Sequence, residues 1–292
     1  MRTWKTVVCS IAAGLCLGAS SVAKADTIAY MSANAGGNPQ FSVVFGTIDL
    51  NTGVFSQLGP TAIGGNPIFS EQLSGMAERN GTLYGASAGI NDNGQLYTIN
   101  PTNGTLTRVG ATGLSIDDFG STPNGLFVVD SFGTLYSINA ATGAATSIGS
   151  LGIPFFGFQA LSTNANALYF ADGNNLYTLN TSTGAATLVG PLGGTFPGET
   201  QLTALLQENG PLYGASPQFF PSLSVNTVNP TTGAATIGPD ITGAGVTFVT
   251  GLAPFPVSVP APAIPEPASL TLLVVGLVGL GVIRRRASPV QR

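Results

Sequence analysis

In the segment LYTLNTSTGAATLVG, residues 176–190, the strand-forming residues Leu176, Tyr177, Thr178 and Leu179 alternate, Asn180 and Gly184 break the run, and Ala185 to Val189 resumes it. An Asn side chain turns back onto nearby backbone N–H groups and glycine accepts φ > 0, so the pattern predicts a β-hairpin. The hairpin recurs along the chain. Aligned on the turn, Asp49, Asn100, Asn139, Asn180 and Asn229 are each followed four positions later by Gly53, Gly104, Gly143, Gly184 and Gly233, at spacings of 51, 39, 41 and 49 residues. Periods of this size mark repeats that are each one supersecondary unit, such as the four-stranded blade of a propeller.

Upstream of four hairpins lies a further strand: TLYGAS (82–87), GLFVVD (125–130), ALYFAD (167–172) and PLYGAS (211–216). Before each comes one more, namely LSGMA from Leu73, IDDFG from Ile116, FQALS from Phe158 and LTALL from Leu202. The first unit lacks this leading strand, since the mature chain starts at TIAYMS (27–32), while VTGLA (249–253) stands alone after the last hairpin and matches LSGMA. Lending VTGLA to the first unit removes the unpaired edges of an open ring. The expected fold is therefore all-β, a five-bladed β-propeller over residues 26–253 with swapped-strand closure. A β-sandwich is disfavoured by the regular period and an open solenoid by the complementary ends.

Composition supports short strands and tight turns: 8% of the 292 residues are charged, with 40 glycines and 20 prolines. Between Asp26 and Ile264 the only basic residues are Arg79 and Arg108, against twelve acids. Such a body repels phosphate backbones, which excludes nucleic acid as a partner. The chain has no histidine, and both cysteines, Cys9 and Cys16, fall in its first twenty residues. Thiol nucleophiles, histidine bases, Cys/His zinc sites and disulfides are thereby removed from the mature body.

The ends read as addresses. Arg2 and Lys5, an apolar stretch from Val7 to about Gly18, and the small residues of Ala23-Lys24-Ala25 are the parts of a signal peptide (1–25) for the secretion machinery, cleaved before Asp26. An uncleaved N-terminal anchor would need a longer apolar run. At the other end a Pro-rich linker (254–264) leads to the uncharged run Ala268 to Ile283 and then to Arg284, Arg285 and Arg286. Sixteen residues at about 1.5 Å rise make a helix of roughly 24 Å, short of a hydrocarbon core of about 30 Å, so the expected single transmembrane helix (268–283) is a marginal span helped by snorkelling arginines. The arginines place the C-terminus in the cytoplasm.

Pro265-Glu266-Pro267, the apolar run and the arginine cluster together resemble the sorting signal of PEP-CTERM proteins (265–292). The resemblance implies an exosortase as partner, cleavage near Pro265 to Pro267, and a transient inner-membrane stage. Release or attachment at the bacterial cell surface or extracellular matrix would follow, often alongside exopolysaccharide. An ordinary single-span anchor without processing is the alternative. The repeated phrase also resembles the strand-turn-strand unit of quinoprotein-like propellers, with one departure: those repeats end in a docking tryptophan, and here the single tryptophan is Trp4, in the signal peptide. What the resemblance implies is the propeller shape, with no quinone or other cofactor.

Candidate chemistry follows from the leading strands. The innermost strand of a propeller blade lines the axis, and at its second residue stand Ser74, Asp117, Gln159, Thr203 and Thr250, all polar. Such a ring suits water, a cation or a sugar, or simply structural hydrogen bonds. Glycoside hydrolysis needs paired carboxyls about 5 to 10 Å apart; Asp117, Asp118, Glu71, Glu78, Glu199 and Glu208 are available, yet Glu78 and Glu208 precede tight turns where solvated charge is usual. Asn91-Asp92-Asn93-Gly94 and Asp172-Gly173-Asn174-Asn175 offer oxygens for calcium but lack the twelfth-position Glu of an EF-hand, and read first as turns. The expectation is an exported, surface-sorted, non-enzymatic binding or matrix protein that meets a glycan or protein, with a carboxylate-dependent glycan-active enzyme as the competing class.

Overall fold

The computed structural model describes residues 27–36, 42–63, 66–67, 73–88, 94–155, 158–163, 165–193, 201–208, 210–217 and 223–255. The expected transmembrane helix at 268–283 lies outside them; among the described residues no helix is long and apolar enough to cross a membrane. The described chain is all-β.

The chain opens with β1 (Ile28–Ala35), β2 (Ser42–Asp49) and β3 (Phe55–Pro60), followed by the short β4 (Ala62–Ile63) and β5 (Asn66–Pro67). Next come β6 (Leu73–Arg79), β7 (Thr82–Ser87), β8 (Gln95–Ile99) and β9 (Thr105–Ala111). The middle holds β10 (Ile116–Thr122), β11 (Gly125–Asp130), β12 (Thr134–Ile138) and β13 (Ala145–Ser150). Then follow β14 (Gln159–Thr163), β15 (Leu168–Asp172), β16 (Asn175–Leu179) and β17 (Ala186–Pro191). The chain continues through β18 (Ala204–Gln207), β19 (Leu212–Ala215), β20 (Ser224–Val228), β21 (Ala235–Asp240) and β22 (Val246–Pro254).

Pairing is antiparallel and sequential within β6 to β9, β10 to β13, β14 to β17 and β18 to β21. The first unit is completed from the far end of the chain, because β22 pairs antiparallel with β1, Tyr30 opposite Ala253 and Ala33 opposite Val249. That strand contains VTGLA and is longer at both ends, reaching Pro254. Two short parallel pairings tie neighbouring units: β14 meets β18 at Ser162↔Leu205 and Thr163↔Leu206, and β4 meets β9 at Ala62↔Thr105 and Ile63↔Leu106. The first of these merges two meanders into one eight-stranded sheet.

Burial follows strand order within a unit. β10 and β11 are buried along nearly their whole length, whereas β13 and β21 have no buried position. Early strands are covered on both faces, which explains the apolar run of β11, and the outer strand faces water, which explains its Thr and Ser. The five apolar clusters lie between successive units. Phe127 and Val129 pack with Leu161 and Phe170; Ala160 and Leu176 pack with Leu205 and Leu212; Met31 and Ile48 pack with Leu206 and Val225. Tyr30 and Phe45 meet Met76 and Tyr97, and Ala77 and Leu96 meet Phe119 and Val128. Adjacent residues such as Tyr30 and Met31, or Val128 and Val129, thus serve opposite interfaces, as the two-residue period of a strand requires. Each Phe or Leu so buried contributes about 1.5 to 3 kcal/mol.

Candidate functional site

The leading strands touch in sequence around a hub: β22 contacts β6 and β18, β10 contacts β6 and β14, and β14 contacts β18. Their backbones approach closely. A Cβ added to Gly75 would stand 2.7 Å from the Phe119 carbonyl oxygen, and one on Gly251 would stand 2.7 Å from the Met76 amide nitrogen. Thr163 Oγ1 lies 3.3 Å from the Leu205 carbonyl and donates to that of Leu252 at 2.9 Å, so one hydroxyl on β14 spans to β18 and β22. Here the hub is held by backbone contacts.

The second-position residues make individual bonds around it. Ser74 Oγ donates to the Ile116 carbonyl at 2.9 Å, and Gln159 Nε2 donates to Asp172 Oδ1 at 3.1 Å. Thr203 Oγ1 donates to Ala215 O at 3.3 Å, while the Thr250 and Ser32 hydroxyls lie 2.8 Å apart. Asp117 accepts from Ser131 Oγ at 2.9 Å; burial raises its carboxyl above the usual range, opposed by the Ser131 bond and reinforced by Asp130. Its neighbour Asp118 is only 2% exposed. One Asp118 oxygen accepts from the Phe119 amide at 2.6 Å and the other from the Leu161 amide of the next unit, while burial pushes the carboxyl well above the usual range. A β-bulge at Asp117 separates the two directions. Both Asp118 oxygens are thus spent on backbone donors that lock β10 to β14.

Asp172, in the candidate calcium turn, is 4% exposed and accepts from Gln159. Asn91, Asp92 and Asn93 lie outside the described residues, as do Glu71 and Glu199. Among the described residues no group of three or more His, Cys, Asp or Glu is placed to hold a metal.

The remaining two acids converge where sequence reasoning did not expect them. Glu78, at the end of β6, and Glu208, just past β18, both line a pocket of about 410 Å³, together with Tyr30, Leu83, Ile99 and Phe255. Tyr30 stacks on Phe45 at 5.4 Å between centroids and leans on Phe255 at 4.9 Å. Glu78 Oε1 accepts from the Gly81 amide, as a residue before a tight turn should. Glu208 behaves otherwise: it is 8% exposed, its Oε2 has no hydrogen-bond partner, and burial raises its carboxyl. The two share no offset in the sequence: Glu78 directly follows LSGMA, whereas Gln207 stands at that place after LTALL and Glu208 comes one residue later.

Residues 263–286 match the PEP-CTERM protein-sorting motif. No curated protein matches the chain. Among solved structures it is similar to a chain of a nidogen/laminin complex, at 10% identity over 77% of this chain and 97% of that one, with a TM-score of 0.50. It is also similar to a glutaminyl cyclase of Myxococcus xanthus, at 16% identity over 70% and 74% with a TM-score of 0.40. A computationally designed protein, Ika4, follows at 13% identity over 63% and 98% with a TM-score of 0.34. The first likeness bears on fold alone and agrees with a propeller-like all-β body. Ala23, Ala25 and Asp26 at the signal cleavage site, and Pro265, Glu266, Pro267 and Arg284 to Arg286 in the motif, lie outside the described residues, so it is as sequence that they are recognised. Behind an all-β, propeller-like body, the chain carries the PEP-CTERM sorting signal of an exported protein.

Proposed function

We propose that the chain is a five-bladed propeller sorted to the cell surface or extracellular matrix, where it serves as a non-enzymatic binding or matrix component. The observation that carries this reading is the sorting motif at 263–286 behind a body whose units contact one another in a cycle. The five blades are the five antiparallel meanders, with β22 supplied to the first. Non-enzymatic character is supported by Asp118, whose oxygens are both engaged by backbone amides. An exosortase cleaves near Pro265 to Pro267, and the surface-exposed disc then meets a glycan or a protein.

The measurement is the mature C-terminus, by mass spectrometry, in a host that carries the exosortase. Loss of residues 268–292 and recovery of the body in the surface or matrix fraction are expected. Glu266→Ala should leave the full-length chain in the inner membrane. A native protein that keeps 268–292 in that host contradicts the processing.

Carboxylate-dependent glycan hydrolysis remains the second reading, because Glu78 and Glu208 line one pocket. Its weakness is the lining, where among the described residues only Tyr30 and Thr82 bear hydroxyls for a ligand covered in hydroxyls. Release of reducing ends from the host exopolysaccharide, abolished by Glu208→Gln, would establish it.

A further inference from the structure

We infer that the pocket between Glu78 and Glu208 binds a small organic cation, an ammonium group carried on an apolar or aromatic stem. The inference gives the binding reading above a ligand class and rests on that reading, without depending on the sorting motif.

The pocket has a distinctive chemistry. Its volume of about 410 Å³ falls within the ordinary range for small-molecule sites, about 300 to 1,000 Å³, and most of its lining is apolar. Tyr30 and Phe255 form one aromatic corner, with centroids 4.9 Å apart, and Leu83, Ile99 and Pro101 add aliphatic surface. Among the described residues no basic one lines it: Arg108 pairs with Gln95 at 2.7 Å, and Arg79 follows Glu78 on β6, where the pleat sends it to the opposite face. The two carboxylates come from different units of the fold, so no local turn requirement brings them together.

Glu208 decides the ligand. A buried acceptor without a partner is destabilising by about 1 to 3 kcal/mol, more when charged, and persists where something else satisfies it. Glu208 Oε2 is such an acceptor, one of five unpartnered buried polar atoms among the described residues and the one whose residue lines the pocket. Its burial raises the carboxyl, which favours the neutral form in the empty pocket, and an incoming cation reverses that preference by supplying the opposite charge. An anion finds no donor cluster in the lining, and a sugar would leave most of its hydroxyls against Leu, Ile, Pro and Phe side chains. An ammonium on a hydrocarbon stem satisfies both halves: N–H donors reach the carboxylates, and the stem covers the aromatic corner. Pro254, the last residue of β22, and Phe255 after it also line the pocket.

The test is calorimetric titration of the full chain with phenethylammonium at neutral pH, beside the neutral isostere 2-phenylethanol. The cation should bind roughly tenfold or more tightly than the alcohol, and Glu208→Gln should remove most of that difference while leaving the alcohol unaffected. Should Glu208→Gln fail to fold, Glu78→Gln provides the second variant, with a smaller loss for the cation alone. Equal binding of cation and alcohol, binding of neither, or indifference of the cation to both substitutions overturns the inference. Localisation of the same preparation keeps the two readings apart: if the body reaches the matrix but no cation binds, only the pocket assignment falls.

Discussion

The rim and the hub of this molecule are built from the same strands but solve their packing differently. At the rim, three of the five seams reuse one contact, while Gly53 meets the Asp240 carbonyl and Gly104 meets Phe45 and Pro60. The turn glycine Gly184 lies against Gly149 of the preceding unit so closely that a Cβ would stand 2.3 Å from the Gly149 carbonyl oxygen, and Gly143 and Gly233 meet Gly110 and Gly190 in the same way. At the hub, every seam is different: Asp118 bonds the Leu161 amide, Ser74 bonds the Ile116 carbonyl, and Thr163 spans to two strands. Backbone meeting backbone admits only glycine, which the rim phrase repeats and which the hub uses as well at Gly75, Gly120 and Gly251. Side chains meeting backbone admit many solutions, and so the leading strands have diverged.

Ring closure tests both regions together and carries the largest expected effect. At the hub β22 pairs with β1, and at the rim Thr242 donates to the Gly53 carbonyl at 3.0 Å while the Phe55 amide donates to Thr242 at 2.9 Å. A chain ending at Asp240 loses all of these and exposes the edges of β1 and of the last unit. Aggregation or loss of a cooperative calorimetric transition is expected, and an unaltered transition would sink the closure.

Next in size is Gly184→Val. Its φ of 83° is strained for a β-branched residue, and the Gly149 backbone leaves no room for the side chain. Strain and overpacking together should destabilise by roughly 2 to 5 kcal/mol. Ser182→Ala, at an exposed position of the same turn, should stay within about 0.5 kcal/mol. Chemical denaturation of both variants decides it; equal shifts would mean that the turn carries no docking.

The rim was legible in the sequence because its chemistry is local. Asn180 Oδ1 accepts from the Ser182 and Thr183 amides at 2.8 and 3.2 Å, and Gly184 has positive φ, as the phrase alone implied. The sorting signal was legible because it is recognised as a linear segment. What escaped was non-local. β4 and β5 are two-residue strands without periodicity, paired with each other and, through β4, with β9 of the next unit. Whether Asp117 or Asp118 points between strands depends on a bulge that no spacing reveals. The pocket joins Tyr30, Glu78, Glu208 and Phe255 from four distant stretches, and in each the local reading (strand, turn, turn, linker edge) was complete in itself.

At the hub, Asp118→Ala orphans the Phe119 and Leu161 amides and should destabilise by about 1 to 3 kcal/mol. Its titration supplies a signature that the rim lacks. Because burial raises the folded pKa above an unfolded value of about 3.9, the folded state holds the proton more tightly. Its contribution is therefore full below that value and is lost as pH rises towards the folded pKa. Melting temperature measured from pH 4 upwards should fall in the native chain and fall less in Asp118→Ala. An identical pH profile for the two would remove Asp118 as the titrating group.

The smallest effect separates the two components of the rim contact. Gly81 and Gly184 have nearly the same backbone, φ 78° and 83°, but a Cβ at Gly81 would meet nothing within 4 Å. Gly81→Ala therefore reports the conformational strain alone, about 1 kcal/mol for one residue held in the left-handed region. Gly184→Ala carries the same strain plus the overlap of one methyl group with the Gly149 carbonyl, which the neighbouring unit relieves only by moving away. The difference between the two alanine variants, read from denaturant midpoints at unchanged slope, is the docking term of a single rim seam. It should be positive and comparable to the strain itself. If the two alanines cost the same, the glycines of the repeated phrase serve only their own turns, and the cohesion of the ring has to come from the apolar clusters between units.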